Sequence, residues 1–214
     1  MGRAISNRNI LDAKFETADF TGEWLASFGR PSLAGCWMIY GGSGTGKTTF
    51  ILKLSKYLTR FRRVAYDSLE QGFSLSMQMA WKRVHMEQAG DQIVLLDKEQ
   101  LKALRERLLR RKSSDVIIID SVKYMSGFKM SDLTSLMNAF PHKLFIIVTH
   151  ETNGEPDGAL ARQIKFHADV KIRTEGYKAF VTTRFEDAER GEGGADFIIW
   201  DKGANDYWAD KLSK

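Results

Sequence analysis

The sequence predicts an α/β fold, a single domain with a mostly parallel central sheet flanked by helices and a β-hairpin near the C-terminus. Apolar runs typical of strands alternate along the chain with amphipathic segments typical of helices. One run, at 116–119, is apolar at every position, which indicates a central strand covered on both faces. The length of 214 residues, 43% of them hydrophobic, suits one well-filled core. We therefore expect one domain at 33–214 after a lead-in segment at 1–32.

The lead-in segment lacks sustained periodicity until residues 22–28, which are typical of a short helix ended by Gly29 and Pro31. Beyond it, the apolar runs predict strands at 36–40, 64–67, 93–96, 116–120, 144–149 and 170–173. Near the end of the chain, 177–184 and 196–200 are typical of two further strands. The acidic, glycine-rich segment 186–194 between them predicts a β-hairpin.

Three helices are predicted between the strands from the spacing of apolar residues. The first carries Ile51, Leu54 and Leu58 on one face, and the second carries Phe73, Met77, Trp81 and Val84. The third, at 101–112, has a leucine stripe and is otherwise strongly basic. Its basic face is typical either of a solvated helix surface or of a patch that faces nucleic acid, and the pattern leaves both open.

The composition sets only broad limits on function. The formal net charge of +5 and the pI of about 9.2 are compatible with a polyanionic partner, but many basic proteins bind none. The single cysteine, Cys36, lies in an apolar run and excludes an internal disulfide. No apolar stretch approaches the roughly 20 residues of a membrane span, so we expect a cytoplasmic protein without a membrane partner.

A phosphate-binding loop is the strongest motif in the sequence. It fits the pattern G-x-x-x-x-G-K-T, follows a predicted strand and opens a predicted helix, which is the context that supports the motif. Its backbone N–H groups and the helix start favour phosphate, so ATP with Mg²⁺ is the expected ligand. We expect Lys47 to reach the β- and γ-phosphates and the Thr48 hydroxyl to bind Mg²⁺. The predicted nucleotide-binding residues are Gly41, Gly42, Ser43, Gly44, Thr45, Gly46, Lys47, Thr48 and Thr49.

Two acidic residues are candidates for the metal and for the attacking water. Asp120 ends the most apolar strand, where a Mg²⁺–nucleotide site needs a carboxylate. Glu70 follows a strand and precedes a helix, so it is the expected catalytic base, with Asp67 as its competitor. A helix-capping role is the alternative for Glu70.

These residues give the chain a resemblance to the RecA-type ATPase core, the superfamily of RecA recombinases, RadA, KaiC and the DnaB helicase motor. The resemblance rests on the phosphate loop, on Tyr-Asp-Ser-Leu-Glu-Gln at 66–71, Ile-Asp-Ser at 119–121 and Ile-Val-Thr-His at 147–150, and on Arg184-Phe185. It covers roughly residues 33–202 and implies a RecA-like ATPase domain.

The resemblance also implies roles for individual residues. Glu70 matches the catalytic glutamate, Asp120 the magnesium-binding acid, and His150 the polar sensor at the end of a strand. Arg184 matches a basic residue that enters the ATP site of a neighbouring subunit in several members. The paired lysine of those members is replaced here by Thr182. The segment 151–161 matches the mobile loop that touches single-stranded DNA. It is acidic, and nearby positive charge would come from Lys123, Lys129, Arg162 and Lys165.

The function implied is an ATPase stimulated by DNA that acts in recombination, strand annealing or repair, similar to short phage and mobile-element proteins. Its expected partners are single-stranded DNA, further copies of itself in a ring or filament, and a single-strand-binding protein. A KaiC-like or loader-type ATP switch that acts on a protein partner is the main alternative, and a DnaB-like helicase motor is another. A small-molecule phosphotransferase is less favoured, because Arg184 and the hairpin do not resemble an arginine-rich lid.

Overall fold

A computed structural model describes residues 4–213. The helices are α1 (Asn7–Leu11), α2 (Glu23–Phe28), α3 (Lys47–Leu58), α4 (Leu75–Arg83), α5 (Leu101–Leu108), α6 (Met130–Ala139), α7 (Ala159–His167) and α8 (Asp201–Leu212). The strands are β1 (Gly35–Gly41), β2 (Val64–Ser68), β3 (Ile93–Leu96), β4 (Val116–Asp120), β5 (Leu144–Thr152), β6 (Glu155–Pro156), β7 (Val170–Glu175), β8 (Lys178–Thr183) and β9 (Phe197–Ile198). Short 3₁₀ helices lie at Met86–Gln92 and Val122–Tyr124.

The strands form one sheet in the order β3-β2-β4-β5-β1-β7-β8-β9, with β6 paired to β5 outside this path. The strands from β3 to β7 in this order are parallel, and β8 and β9 continue the sheet antiparallel. The predicted fold class is therefore confirmed. Because parallel strands end at the same edge, the segments that follow β1, β2, β4 and β5 lie side by side at what we term the carboxyl edge of the sheet.

Two layers of helices cover the sheet. Helices α2, α3 and α4 pack on one face, where the core includes Trp37, Phe50 and Ile118. Helices α5, α6 and α7 pack on the other, where it includes Met38, Leu133 and Phe145. All five residues of β4 are buried, as expected for a strand that is apolar on both sides.

The antiparallel end of the sheet differs from the prediction in its pairing. The tight hairpin joins β7 to β8 through Gly176 and Tyr177, which have φ values of 51° and 58° and suit a two-residue turn. Segment 186–194 is a loop that docks on α2, since the backbone N–H groups of Gly193 and Gly194 donate to the carbonyls of Leu25 and Ser27. Only two residues of β9 pair with β8.

Two helical predictions also change. Helix α4 begins at Leu75, because the Ser74 side chain accepts a hydrogen bond from the Met77 N–H and caps it. Phe73 lies before this cap and is 79% exposed, so the prediction that it joins the core face was wrong. Helix α5 ends at Leu108, and the following basic residues form a turn.

The segment 151–161 has regular structure where a mobile loop was expected. Strand β5 continues to Thr152, and β6 pairs back onto it. The turn between them uses Asn153 and Gly154, whose φ values of 53° and 81° fit a tight hairpin. Helix α7 then begins at Ala159. Between residues 4 and 213, no helix has both the length and the apolar character needed to cross a membrane.

Candidate active site

The phosphate loop connects the end of β1 to the start of α3. Gly46 has a φ of 91°, which side-chain-bearing residues rarely adopt, so the turn into the helix requires glycine there. Ser43 and Gly44 are exposed at the tip, while Thr48 and Thr49 are half-buried in the first turn of α3. The first N–H groups of this helix are free of capping side chains, as an anion-binding helix start needs.

Strand β7 and its turn support the loop from one side. The Thr45 hydroxyl donates to the carbonyl of Gly42 at 3.0 Å and lies 2.9 Å from the hydroxyl of Thr174. The backbone N–H of Tyr177 donates to the carbonyl of Thr45 at 3.2 Å. A Cβ atom at Gly41 would overlap the Thr174 hydroxyl and lie 2.6 Å from the Thr174 carbonyl oxygen. The loop is therefore held in shape by the neighbouring strand.

The Lys47 side chain points across the loop toward β5. Its Nζ donates to the carbonyl oxygens of Gly41 at 2.9 Å and Thr149 at 3.3 Å, and it lies 3.4 Å from Nδ1 of His150. These carbonyls hold the ammonium group where a phosphate would be bound. The interaction with His150 links the phosphate loop to the end of β5.

Charge around Lys47 is balanced by acidic residues. Burial lowers the pKa of Lys47, and the negative charges of Asp120, Glu70 and Glu151 oppose that shift. A partly desolvated ammonium group interacts more strongly with phosphate than one in bulk water. The site can therefore offer a concentrated positive charge to an anionic ligand.

Asp120 ends β4 on the same face of the sheet as α3. It is buried and accepts a hydrogen bond from the hydroxyl of Tyr66. Burial raises the pKa of Asp120, while the Tyr66 hydrogen bond and Lys47 oppose that shift. Burial also raises the pKa of Tyr66, so its hydroxyl stays protonated and can donate. The ring of Tyr66 packs edge-on against Trp81, with centroids 6.1 Å apart.

Glu70 and His150 complete the cluster. The Glu70 carboxylate lies 3.2 Å from Nε2 of His150, and the backbone N–H of Glu70 donates to the carbonyl of Asp120 at 3.2 Å. The four residues Lys47, Glu70, Asp120 and His150, predicted separately from the sequence, thus lie together at the carboxyl edge. Glu70 remains partly exposed, with 38% of its side chain accessible to solvent.

Asp67 lies on the opposite face of the sheet. Its side chain is buried and accepts a hydrogen bond from the backbone N–H of Glu99 at 3.0 Å. Burial raises the pKa of Asp67 to about 7. Its neighbours Ala65 and Leu69 belong to the core under α5 and α6, whereas Tyr66 belongs to the core under α3. The geometry therefore separates Asp67 from the cluster around Asp120.

Arg184 lies at the opposite edge of the sheet, which we term the amino edge. Its guanidinium pairs with Asp169 at 2.8 Å, and not with the acidic residues that follow it in the sequence. The backbone N–H of Asp169 donates to the carbonyl of Cys36 near the start of β1. The whole length of β1, about 20 Å, thus separates Arg184 from the phosphate loop of its own chain.

The lysines expected near the DNA-contacting segment are engaged within the chain. Lys123 pairs with Asp157 at 2.8 Å, and Lys165 pairs with Glu155 at 2.7 Å. Arg162 and Lys129 are exposed. The segment therefore offers a phosphate backbone much less positive charge than the sequence suggested.

The role of Tyr66 was missed in the sequence. Tyr66 lies in an apolar strand, where an aromatic residue is expected to be core, and its partner is 54 positions away. Only the register of β2 with β4, which places Ser68 beside Asp120, brings the two side chains together. A hydroxyl-bearing residue two positions before the strand end was the one available signal.

The side chains fit a Mg²⁺–nucleotide ligand. The Thr48 hydroxyl and the Asp120 carboxylate are oxygen donors of the type that Mg²⁺ prefers. No group of three or more histidine, cysteine or acidic side chains suited to a metal occurs among residues 4–213. Mg²⁺ bound with a nucleotide needs no such group, since phosphates and water supply most of its ligands.

Comparisons with known proteins agree with this geometry. A family model described as an AAA domain matches residues 30–154. No curated protein sequence matches the chain.

Solved structures share the fold at low sequence identity. The flagellar accessory protein FlaH from Methanocaldococcus jannaschii is 19% identical, with a TM-score of 0.55 over 76% of this chain and 83% of that chain. The ATPase domain of a DnaB-like helicase is 14% identical, with a TM-score of 0.52 over 82% and 84%. A KaiC-like protein from Pyrococcus horikoshii OT3 is 20% identical, with a TM-score of 0.50 over 70% and 78%.

All three neighbours are RecA-superfamily ATPases. The family match spans more than half of the 214 residues and includes the phosphate loop, Glu70, Asp120 and His150. The chain therefore belongs to the AAA domain family and has the RecA-type P-loop fold, a membership that implies nucleotide binding, typically with Mg²⁺, and nucleotide hydrolysis.

Proposed function

We propose that this protein is an ATPase that assembles with copies of itself, hydrolyses ATP between subunits and acts on single-stranded DNA in recombination, annealing or repair. The observation that carries the ATPase assignment is the chain of contacts from Lys47 through His150 to Glu70. It places a phosphate-binding ammonium group and a carboxylate on either side of one imidazole. This is the arrangement that in-line attack of water on a γ-phosphate requires.

The proposed reaction assigns a role to each residue of the cluster. Mg²⁺, when bound with the nucleotide, would neutralise charge on the β- and γ-phosphates, and Thr48 and Asp120 would hold it. Lys47 exchanges its carbonyl partners for phosphate oxygens. Glu70 accepts a proton from water as the water oxygen attacks the γ-phosphorus. The bond from that phosphorus to the bridging oxygen breaks, which yields ADP and phosphate.

His150 is proposed to sense the γ-phosphate. It lies between Lys47 and Glu70, so movement of either side chain on ATP binding changes its contacts. An imidazole in this position can hold Glu70 toward the water and report the state of the nucleotide to β5. Strand β5 continues directly into the β6 hairpin, which is the route by which such a signal leaves the site.

Arg184 is proposed to act on the ATP site of a neighbouring copy. Its position about 20 Å from its own phosphate loop excludes direct action within one chain. A head-to-tail contact between copies brings the amino edge of one against the carboxyl edge of the next. The ion pair with Asp169 is solvent-exposed, so exchanging that carboxylate for a phosphate costs little.

The first experiment compares ATP binding and turnover of the wild type with Lys47→Ala. Loss of the ammonium group should abolish tight ATP–Mg²⁺ binding and turnover. Lys82→Ala, which removes an exposed lysine from α4, is the matched control and should behave as the wild type. Turnover at the wild-type rate by a folded Lys47→Ala protein would end the ATPase assignment.

An ATP switch that acts on a protein partner is the second candidate. It is favoured by the ion pairs of Lys123 and Lys165, which reduce the positive charge around segment 151–161. Stimulation of ATP turnover by single-stranded DNA supports the DNA function. A turnover rate that is unchanged by DNA over a wide concentration range favours the switch.

A further inference from the structure

The amino edge of the sheet carries a dense group of basic side chains. They come from the lead-in segment, from the turn between α3 and β2, and from the turn between α5 and β4. We call this group the basic edge. Its members, all exposed, are Lys14, Arg60, Arg63, Arg110, Arg111 and Lys112.

Backbone contacts join the two turns into one surface. The Arg63 guanidinium donates to the carbonyl of Lys112 at 3.4 Å. The backbone N–H of Asp115 donates to the carbonyl of Arg63 at 2.9 Å. Lys14 and Arg60 line the same cavity next to these turns. The six cations therefore form one continuous positive surface.

Little of this charge is neutralised within the chain. Two further cations of the region are paired, Arg62 with Glu16 at 2.5 Å and Lys143 with Asp115 at 3.7 Å. The six members of the basic edge form no ion pair with any carboxylate among residues 4–213. Their mutual repulsion lowers stability unless an anion binds there.

Aromatic side chains lie among these cations. A cavity of about 690 Å³ is lined by Lys14, Phe15, Arg60, Phe61 and His142, among others. Phe15 is 80% exposed. Phe61 is half-buried, and its ring packs against Phe20 and Tyr57 at centroid distances of 5.3 and 5.6 Å, so its position is fixed.

We propose that the basic edge binds the phosphate backbone of single-stranded nucleic acid, with unpaired bases packed against Phe15 and Phe61 in the adjoining cavity. This proposal rests on the proposed function and supplies a location for its DNA contact other than segment 151–161. Arginine-rich surfaces interleaved with aromatic rings favour single strands, because each free base has a face that can stack. A duplex keeps its bases paired and cannot fill the cavity.

The basic edge and Arg184 occupy different parts of the amino edge. Arg63 precedes β2, whereas Arg184 pairs with Asp169 before β7. Strands β4, β5 and β1 lie between β2 and β7, so the two sites are roughly 19 Å apart. A nucleic-acid strand on the basic edge therefore leaves Arg184 available to a neighbouring copy.

The test measures binding of a fluorescent oligothymidylate of about 30 nucleotides between about 50 and 200 mM salt. Arg110→Glu with Arg111→Glu should weaken binding at least tenfold and make the salt dependence shallower by about 1.4 log units per log unit of salt. Lys123→Ala with Lys165→Ala is the matched control from segment 151–161 and should bind as the wild type. Thermal melting and ATP turnover without DNA should be unchanged in the basic-edge variant.

Phe15→Ala tests the stacking part of the proposal. It should weaken oligothymidylate binding about tenfold without changing the salt dependence, since stacking releases no counterions. Duplex DNA of the same length should bind the wild type more weakly than the single strand. Equal binding of both forms, together with a silent Phe15→Ala, would refute the single-strand assignment.

Two further outcomes separate this site from the ATPase assignment. If the basic-edge variant binds oligothymidylate as the wild type does while the segment 151–161 variant does not, the proposed location is wrong and the ATPase proposal stands. If Lys47→Ala binds the oligonucleotide through the basic edge and the wild type shows no ATP turnover, the nucleic-acid site stands and the ATPase proposal fails. Binding to anionic vesicles with no binding to oligothymidylate would overturn the choice of partner.

Discussion

At the scale of single residues, the site couples three groups that titrate or carry charge through direct contacts. His150 lies between Lys47 and Glu70, and the backbone of Glu70 is fixed to the carbonyl of Asp120. A change at one group therefore alters the position or charge of the others. The proposed roles differ in kind, so substitutions should separate binding from turnover.

Glu70→Gln should leave ATP affinity close to that of the wild type and lower turnover by about 100-fold or more. The amide keeps the shape of the side chain but cannot accept the proton from water. Nucleotide affinity by fluorescence titration and steady-state phosphate release would measure the two effects. The control is Asp67→Asn, which lies on the other face of the sheet and should turn over normally. The opposite pattern, an active Glu70→Gln and an inactive Asp67→Asn, would move the base to Asp67.

Tyr66→Phe should raise the Mg²⁺ concentration needed for half-maximal nucleotide binding about tenfold. The phenol holds Asp120 by a hydrogen bond, and loss of an outer partner of a metal-binding group commonly costs about 10- to 100-fold in affinity. Fluorescence of a bound nucleotide analogue during a Mg²⁺ titration gives this value without any turnover. Binding measured without Mg²⁺ should be unchanged. A wild-type Mg²⁺ titration would show that Tyr66 has no part in holding Asp120.

At the scale of elements, the sequence was informative where a motif is contiguous and poor where pairing decides the outcome. The phosphate loop could be predicted because its residues are consecutive and Lys47 follows the glycine that turns into α3. Tyr66 and Asp120 meet only through the register of β2 and β4. The position of Arg184 depends on pairing β8 with β7, whereas the sequence favoured pairing with 196–200. Ion pairs such as Lys123 with Asp157 also need the tertiary structure.

The packing of the phosphate loop on β7 gives a test of this tertiary support. Gly41→Ala should lower the free energy of unfolding by about 1–3 kcal/mol, since its Cβ would overlap Thr174 and force the two strands apart. Gly42→Ala is the neighbouring control, because its Cβ would lie 3.5 Å from the Thr45 methyl group in an ordinary contact. Urea denaturation without nucleotide compares the two. Equal stability of both variants would show that β7 does not constrain the loop.

At the scale of the whole molecule, the two edges of the sheet differ in chemistry. The carboxyl edge carries the phosphate loop and several carboxylates, including Glu70 and Glu151, whereas the amino edge carries Arg184 and the basic edge. Complementary edges on opposite sides of one chain favour head-to-tail assembly, in which each copy presents its amino edge to the next. The account therefore makes ATP hydrolysis a property of the assembly.

The most direct test of this claim is the ATP turnover of an equal mixture of Lys47→Ala and Arg184→Ala proteins. Each variant alone should be inactive, since a guanidinium supplied by a neighbour contributes about 10³-fold or more to such reactions. In a random mixture, about a quarter of the interfaces pair an intact Lys47 site with an intact Arg184, so part of the activity should return. A mixture that co-assembles and stays as inactive as its components would contradict hydrolysis between subunits.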